Sequence, residues 1–220
     1  MHTADEVFDH FARVASALGS PTRLKLIDRL CQGDQTVDQL AVSVGVSISN
    51  ASRQLRLLAD AGLVVAERRP PYVRYRVADE RVLEFWFALR DLARTRLAEV
   101  DRAVAAFLAG TDSMTPMSRS ELLNRMETGE VTVLDVRPAT EYRAGHLPAA
   151  ISIPLEELEA RLAELSEQQL VVAYCRGPYC VLSAQAVRTL RDHGREAVRL
   201  EDGLPEWKAA GLPVQVGGSR

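Results

Sequence analysis

The sequence lacks any long apolar run. The chain has 220 residues, and no stretch approaches the roughly 20 apolar residues that a membrane-spanning helix needs. Its first residues, MHTADEVFDHFARVASAL, are interrupted by Asp5, Glu6, Asp9 and Arg13, so the apolar core of a signal peptide is missing. Hydrophobic residues make up 47% of the chain, which is ordinary for a globular protein. We therefore predict a globular protein located in the cytoplasm.

Cysteine is scarce, and its number is odd. The chain contains only Cys31, Cys175 and Cys180. A reducing cytoplasm disfavours structural disulfides, and an odd count leaves at least one thiol unpaired. We therefore expect any role of these thiols to be reactivity or sensing.

The chain also has no excess of positive charge. It carries 27 basic and 30 acidic residues, for a net charge of −3. Residues 118–220 account for this deficit, with 12 basic and 15 acidic side chains, whereas residues 1–117 carry 15 of each. Between Arg53 and Arg76, however, there are six arginines and only two acidic residues. Such a local basic stripe matters more for nucleic-acid binding than the net charge.

The pattern of the chain changes at residues 110–117, GTDSMTPM, a small, polar, proline-containing stretch that is typical of a linker. The preceding part is mainly helical with one pair of strands. The following part alternates short apolar strands with helices, which indicates a parallel sheet with crossover helices. We predict a mainly α domain over residues 1–109 and an α/β domain over residues 118–220.

Four helices are predicted in quick succession in the first domain. They cover Glu6–Leu18, a segment from Ser20 to Gly33, a short segment from Thr36 to Gly45, and a segment that Ser47 caps. The short turn between the third and fourth helices is a helix-turn-helix arrangement. On the fourth helix, Ala51, Leu55 and Leu58 recur at helical spacing and are predicted to face inward.

The opposite face of the fourth helix and the segment after it favour DNA binding. Short hydroxyl, amide and guanidinium side chains near a helix N-terminus can reach bases and phosphates in a major groove. Residues 63–77 follow as a predicted β-hairpin with an arginine-rich tip, a wing that suits the phosphate backbone or the minor groove. A merely solvated polar face is the alternative. The predicted DNA-contacting residues are Ser47, Ser49, Asn50, Ser52, Arg53, Arg56, Arg68, Arg69 and Arg74.

A long helix is predicted over residues 80–109, with a sustained apolar stripe from Val82 to Phe107. That is more apolar surface than a small winged helix needs for its own core. We predict a homodimer interface formed with the first helix, since two identical DNA readers match a two-fold operator. Packing within one subunit is the alternative.

The stretch SNASRQLRLLADAGLV closely resembles the recognition helix of ArsR-family winged-helix repressors, and the resemblance covers residues 6–108. It implies a homodimer that binds operator DNA and releases it when an effector binds. The family's metal sensors carry cysteines on the third helix or a His/Asp/Glu set on the terminal helix. Here the third helix has no cysteine, and no histidine occurs between His10 and His146. We therefore predict no metal site in this domain.

Cys31 is the only thiol of the first domain, near the end of the second helix. Persulfide-sensing members of the family pair a cysteine near this place with one on the terminal helix, but residues 80–109 contain no cysteine. A lone cysteine in a helix is usually a small core residue. A sensing role is the alternative.

The second domain places two thiols at the ends of the loop CRGPYC, between the predicted strand 170–174 and a helix that starts at Val181. A strand–loop–helix turn directs backbone N–H groups and the positive end of a helix dipole into the loop, which stabilises a thiolate at Cys175. Arg176 adds positive charge. The backbone that surrounds the thiol is predicted to come from Gly177, Pro178 and Tyr179. The charged residues Asp135 and Arg137, at the end of an earlier strand, are predicted to lie behind this loop.

Three stretches of residues 118–215 resemble the rhodanese family: LDVRPATEYRAGHLPAAISIP, AYCRGPYC and LEDGLPEW. The resemblance implies a parallel α/β fold and a persulfide on Cys175. Phosphatase or arsenate-reductase chemistry needs an arginine six residues after the cysteine, where this chain has Val181. Many rhodaneses have another residue at the end of this loop, where this chain has Cys180. Cys180 is predicted to resolve a persulfide or sulfenic acid on Cys175, with packing at the helix start as the alternative.

Together these features predict a DNA-binding repressor whose rhodanese-like domain senses reactive sulfur or oxidants through Cys175 and Cys180. Two alternatives stay open. The second domain can be an active thiosulfate or persulfide sulfurtransferase attached to an autoregulatory DNA reader, or the two thiols can sense As(III) or another thiophilic ion, with Cys31 as a remote third ligand. No cofactor, metal or membrane partner is predicted.

Overall fold

A computed structural model describes residues 4–108 and 115–218, which divide into two compact units between Asp91 and Leu92. The predicted linker, residues 110–117, lies largely outside these ranges, so the predicted domain limits remain predictions. No helix within the described ranges is both long and apolar enough to cross a membrane.

The first unit begins with four helices, α1 (Ala4–Leu18), α2 (Pro21–Leu30), α3 (Val37–Val44) and α4 (Ile48–Asp60). Thr36 caps α3 in a reciprocal capping box with Gln39, and Gly45 ends α3 in the left-handed region with φ 74°. Ser47 accepts a hydrogen bond from the backbone N–H of Asn50 and so caps α4, as predicted. Ser20 occupies the N-cap position of α2, but its side chain makes no capping hydrogen bond.

The wing is a two-stranded antiparallel ribbon of β2 (Val64–Arg69) and β3 (Tyr72–Val77). A short strand, β1 (Gln35–Thr36), was not predicted from the sequence; it pairs antiparallel with β3 and gives the sheet order β1-β3-β2. β1 attaches the wing to the segment that starts α3. The unit's core contains Leu26, Leu40, Leu55 and Leu58, each at 0% exposure.

The single helix predicted over residues 80–109 is wrong, because the structure has α5 (Glu80–Arg96) and α6 (Ala98–Leu108) with a break at Leu97. The charged side chains on either side of the break are those that stabilise the end of one helix and the start of the next. Arg94 and Arg96 lie in the last turn of α5, and Glu99 and Asp101 lie in the first turn of α6.

In the second unit, the helix α7 (Arg119–Glu127) leads into a four-stranded parallel sheet of order β5-β4-β6-β7, which confirms the predicted sheet type. The strands are β4 (Val131–Asp135), β5 (Ile151–Ser152), β6 (Leu170–Tyr174) and β7 (Ala197–Arg199). The connecting helices are α8 (Ala139–Ala144), α9 (Val181–Asp192) and α10 (Leu204–Ala209).

The α-helix predicted over residues 155–165 is also wrong. Two 3₁₀ turns, Leu155–Glu157 and Glu159–Glu164, occupy this segment. Their tighter winding places Leu158 and Leu165 in the core on one side of the sheet, at 0% and 3% exposure. Packing against the sheet therefore overrides the helix propensity of this glutamate- and leucine-rich stretch.

Candidate functional site

The recognition helix α4 has the two predicted faces. Ala51, Leu55 and Leu58 are fully buried, as predicted. Ser47, Ser49, Arg53 and Arg56 are exposed, while Asn50 and Ser52 are half-buried. The structure thus brings the six predicted DNA-contacting residues of this helix onto one accessible surface.

Side-chain hydrogen bonds organise part of this surface. The Oγ atoms of Ser47 and Ser49 lie 3.1 Å apart. The Asn50 amide oxygen accepts hydrogen bonds from Arg53, at 3.3 Å, and from Gln54, at 3.2 Å. Asn50 therefore orients one arginine on the surface.

The wing arginines differ in how strongly they are held. Glu67 forms ion pairs of 2.8 Å with both Arg69 and Arg76, and the hydrogen bonds from these arginines, that from Arg76 first, lower the pKa of Glu67. Arg74 is half-buried and donates to the carbonyl oxygen of Asp34 at 2.5 Å. Arg68 and Arg69 are exposed near the tip. Of the three predicted wing contacts, these two are the more accessible to DNA.

The thiol loop lies at the carboxyl edge of the parallel sheet, where ligand sites of such sheets form. Cys175 follows β6 and is 1% exposed, whereas Cys180, at the N-cap of α9, is half-buried. The Cys175 Sγ lies 3.4 Å from the Ser183 Oγ and 3.7 Å from the Cys180 carbonyl oxygen. Neither cysteine of the loop is part of a disulfide.

The two thiols have opposite electrostatic environments. Burial, and then the neighbouring Cys180, raise the pKa of Cys175 well above its ordinary value. The pKa of Cys180 is lowered to about 6, first by a hydrogen bond from the Cys175 thiol, and then by the backbone N–H groups of Arg176 and Leu182 and the Arg176 charge. The hydrogen bond between the two thiols therefore raises the pKa of one and lowers that of the other.

The backbone donors that act most strongly on the two thiols include residues outside the predicted Gly177–Tyr179 backbone. The backbone N–H groups of Arg176 and Leu182 donate to the sulfur of Cys180, and the backbone N–H of Ser183 donates to the sulfur of Cys175. Gly177, Pro178 and Tyr179 form the half-buried middle of the loop. Pro178 has no N–H to donate. Gly177 adopts φ 136°, a conformation that favours glycine, and its carbonyl accepts from the N–H of Cys180 at 3.1 Å.

Arg176 is bound to Glu141, a partner that the sequence did not suggest. The guanidinium donates to both carboxylate oxygens, from Nη2 at 2.6 Å and from Nε at 3.0 Å, and the side chains are 12% and 8% exposed. This ion pair ties the loop to α8. The charge that Arg176 was predicted to give Cys175 is thus shared with a carboxylate.

Asp135 and Arg137 form a fully buried ion pair of 2.6 Å at the end of β4. Asp135 also accepts from the Tyr174 hydroxyl at 2.5 Å, and Arg137 donates to the Gly145 carbonyl at 2.7 Å. Tyr174 directly precedes Cys175. The predicted charged pair therefore fixes the strand end from which the loop starts.

Gly203 and Glu206 also position the loop, and sequence reasoning missed both. A Cβ atom on Gly203 would collide with the backbone of Arg176 and Gly177. The Glu206 carboxylate accepts from the Gly203 N–H at 3.0 Å and lies against Gly177. Their signal was the stretch LEDGLPEW, which carried the family resemblance without a role for its individual residues.

The described ranges contain no group of three or more His, Cys, Asp or Glu side chains that could hold a metal ion. His146 is buried, stacks on Tyr142 with ring centroids 3.7 Å apart, and donates from Nδ1 to the Tyr142 carbonyl at 2.9 Å. Cys31 is 7% exposed in the core of the first unit. These placements agree with structural roles for both residues.

A helix-turn-helix with a basic wing, followed by a parallel sheet that presents a thiol loop, defines a DNA-binding regulator joined to an α/β domain. Residues 20–65 match the family described as "Bacterial regulatory protein, arsR family", and residues 118–210 match the "Rhodanese-like domain". The chain is 46% identical over 211 residues to the HTH-type transcriptional regulator Rv0324 of Mycobacterium tuberculosis, which covers 96% of this chain and 92% of that protein. The chain therefore belongs to the ArsR family of transcriptional regulators and carries a rhodanese-like domain.

Two further relatives match one half each. A sulfurtransferase of Allochromatium vinosum is 30% identical over 88 residues, or 40% of this chain and 81% of that protein. The homodimeric winged helix-turn-helix DNA-binding domain Mb0332 (fragment 1–100) of Mycobacterium bovis, solved by NMR, shares 31% identity and a TM-score of 0.42, covering 44% of this chain and 92% of that one.

Proposed function

We propose that this regulator is a homodimeric repressor whose affinity for operator DNA changes when the Cys175–Cys180 pair reacts with reactive sulfur species or an oxidant. The observation that carries the proposal is the pair of free thiols at the two ends of one short loop, where the Cys175 Sγ lies 3.7 Å from the Cys180 carbonyl oxygen. Thiolates are the reactive form of cysteine, and sensor cysteines commonly have a second thiol beside them. The regulator acts on DNA in the bacterial cytoplasm.

The apolar surface of α1 and α5 supports the homodimer. Phe8 and Phe11 on α1 are 68% and 63% exposed, and Phe85 and Leu92 on α5 are 50% and 54% exposed. Large side chains exposed on two helices indicate a surface that another copy of the chain covers. A second copy also supplies the second recognition helix that a two-fold operator requires.

A DNA-binding titration tests the proposal. The DNA is the segment upstream of the regulator's own gene, and affinity is measured by fluorescence anisotropy at constant ionic strength. Polysulfide should weaken wild-type binding by about tenfold or more, within the range of ordinary allosteric coupling, and a reductant should restore it. Cys175→Ser and Cys180→Ser should bind DNA normally without responding.

Cys31→Ala is the matched control, because it removes the one thiol outside the loop. This variant should keep the full response, and loss of the response would favour a sensing role for Cys31. A loop variant that responds as strongly as the wild type would refute the proposal.

A working sulfurtransferase is the second candidate, favoured by the persulfide site implied by the rhodanese-like domain. A thiosulfate:cyanide assay separates the two. Rapid turnover together with unchanged DNA affinity would favour the enzyme. Sensing of a thiophilic ion has less support, because the described ranges offer no third ligand beside the two loop thiols.

A further inference from the structure

We propose that Arg23 fixes the angle between α1 and the recognition helix α4, and that it thereby sets the spacing of the two DNA half-sites that the dimer binds. Arg23 is a positioning residue in this account, because it acts through α1 and Gln54 rather than through a DNA contact of its own. The inference rests on the homodimer of the proposed function, and it does not depend on the thiol loop.

Most of α1 is exposed. Among residues 5–18, Ala17 and Leu18 are buried, Val14 is half-buried, and the others are exposed. Ala17 and Leu18 belong to the core cluster that includes Leu55 of α4. Packing therefore holds this helix to the first unit at its last turn.

A groove lies beside this last turn and separates α1 from α4. Its volume is about 320 Å³, and its lining includes Arg13 and Ser16 of α1, Arg23 of α2, and Leu57 and Asp60 of α4. Leu57 is 45% exposed. Because the side chains of the two helices do not fill the space between them here, apolar packing alone does not fix the angle between α1 and α4.

Arg23, in the first turn of α2, bridges the two helices with all three nitrogen atoms of its guanidinium. Nε donates to the carbonyl oxygen of Ala17 at 2.5 Å, and Nη2 donates to that of Ser16 at 2.9 Å. Nη1 donates to Oε1 of Gln54 on α4 at 2.9 Å. Carbonyl groups in the last turn of a helix lack partners within the helix, and the helix dipole favours a cation there. Since the guanidinium is planar and rigid, these bonds hold the end of α1 and Gln54 in one arrangement.

Gln54 connects this arrangement to side chains on the predicted DNA-contacting surface. Its Nε2 donates to Oδ1 of Asn50 at 3.2 Å, and the same oxygen accepts from Nη2 of Arg53 at 3.3 Å. A chain of hydrogen bonds therefore runs from the end of α1 through Arg23, Gln54 and Asn50 to Arg53.

The angle between α1 and α4 determines how far apart the two recognition helices of a dimer lie. Phe8 and Phe11, which are proposed to contact the second copy, lie on the exposed part of α1, before its anchored last turn. Each α4 is therefore placed relative to the two-fold axis through this angle. One base pair added between two half-sites moves them apart by about 3.4 Å and rotates one against the other by about 34°. A rigid connection rejects this change, whereas a loose one accommodates it.

Selection from random DNA measures the half-site spacing. Full-length protein is incubated with duplexes that carry a random segment of about 40 base pairs, long enough for two half-sites, and the bound duplexes are sequenced. The wild type should enrich an inverted repeat with one spacing. Adding or removing one base pair at the centre of this repeat should weaken binding in fluorescence anisotropy by about tenfold or more, as misplaced base contacts do. A wild type that tolerates either change overturns the proposal.

Two variants break the connection from opposite sides. Arg23→Met and Gln54→Ala should enrich the same half-site as the wild type, but each should lose only about threefold or less from the same changes in spacing. The double variant should be no less selective than either single variant, because both remove one connection. Lys25→Met is the matched control. It removes an exposed positive charge from the same helix and should keep the selectivity of the wild type.

A merely structural role of Arg23 predicts a different result. It lowers thermal stability, or it lowers the affinity for every spacing by the same factor, and it leaves the ratio between spacings unchanged. Ratios equal to that of the wild type in both variants therefore overturn the proposal. Circular dichroism checks folding, and Gln54→Ala, which places a strong helix former in α4, decides the question if Arg23→Met is unfolded.

The role of Arg23 and the proposed function can fail separately. If the wild type enriches an inverted repeat and the variants keep its spacing selectivity, the role of Arg23 is wrong and the homodimer stands. If the wild type enriches no inverted repeat, both the homodimer and the role of Arg23 are wrong. The response of DNA affinity to polysulfide is a separate titration, and neither result decides the other.

Discussion

Replacing Glu141 with glutamine should destabilise the second unit strongly. The variant leaves the Arg176 guanidinium without its bidentate carboxylate at a site where the two side chains are only 12% and 8% exposed. Removing one partner of a buried ion pair costs about 3–5 kcal/mol, because the other charge stays buried and uncompensated. With a urea m-value of about 2 kcal/mol/M, the unfolding midpoint should fall by about 2 M.

The fluorescence of Trp207 is a suitable probe, because this side chain is 1% exposed in the core of the second unit. The chain's other tryptophan, Trp86, is changed to phenylalanine in all the proteins compared. Glu164→Gln is the matched control. It removes one carboxylate from Arg161 at the surface, where the Glu164 side chain is 45% exposed and Glu157 remains as a partner. This control should cost less than about 1 kcal/mol.

A second variant separates charge from packing. Glu141→Gln combined with Arg176→Met removes both charges, so it should recover most of the lost stability, as apolar replacement of buried ion pairs often does. If Glu141→Gln costs no more than Glu164→Gln, the ion pair does not hold the loop, and the account of how the loop is positioned is wrong.

Three further outcomes are expected. Gly203→Ala should destabilise the second unit by about 1–3 kcal/mol, because the added Cβ displaces the loop backbone; unchanged urea unfolding would contradict this. Arg53→Ala should weaken DNA binding, and if Arg53 contacts a phosphate, the slope of log affinity against log salt concentration should fall by about 1. The control Arg102→Ala removes an exposed arginine that is paired with Glu99, and it should change neither the affinity nor the slope. Phe11→Glu should shift the protein from dimer to monomer in analytical ultracentrifugation, and a dimer of unchanged stability would show that α1 is not in the interface.

Much of the first unit was predictable because its signals are local. Helix spacing alone placed Ala51, Leu55 and Leu58 in the core, and the short polar side chain of Ser47 marks the start of α4. The wing was readable from alternating residues around a proline pair. The strand β1 was not, since a two-residue strand exists only through its pairing with β3.

The failures occurred where non-local packing or charge competes with local propensity. The apolar stripe predicts one helix over residues 80–109, because it takes no account of charged side chains. The change from basic residues before Leu97 to acidic residues after it accompanies the break between α5 and α6. The stretch 155–165 has strong helix formers, yet the sheet beneath it is better covered by two 3₁₀ turns. Propensity is a weak guide where a segment is held by the surface below it.

The sequence by itself determined that this chain is a DNA reader followed by a rhodanese-like domain, and that two thiols end the loop between β6 and α9. Periodicity, capping residues and short motifs carry that information because each depends on neighbours in the chain. Only the tertiary structure decided how the two thiols differ. The core covers Cys175, and the Cys175 thiol, followed by the Arg176 and Leu182 N–H groups, donates to Cys180, so burial and hydrogen bonding drive the two pKa values in opposite directions.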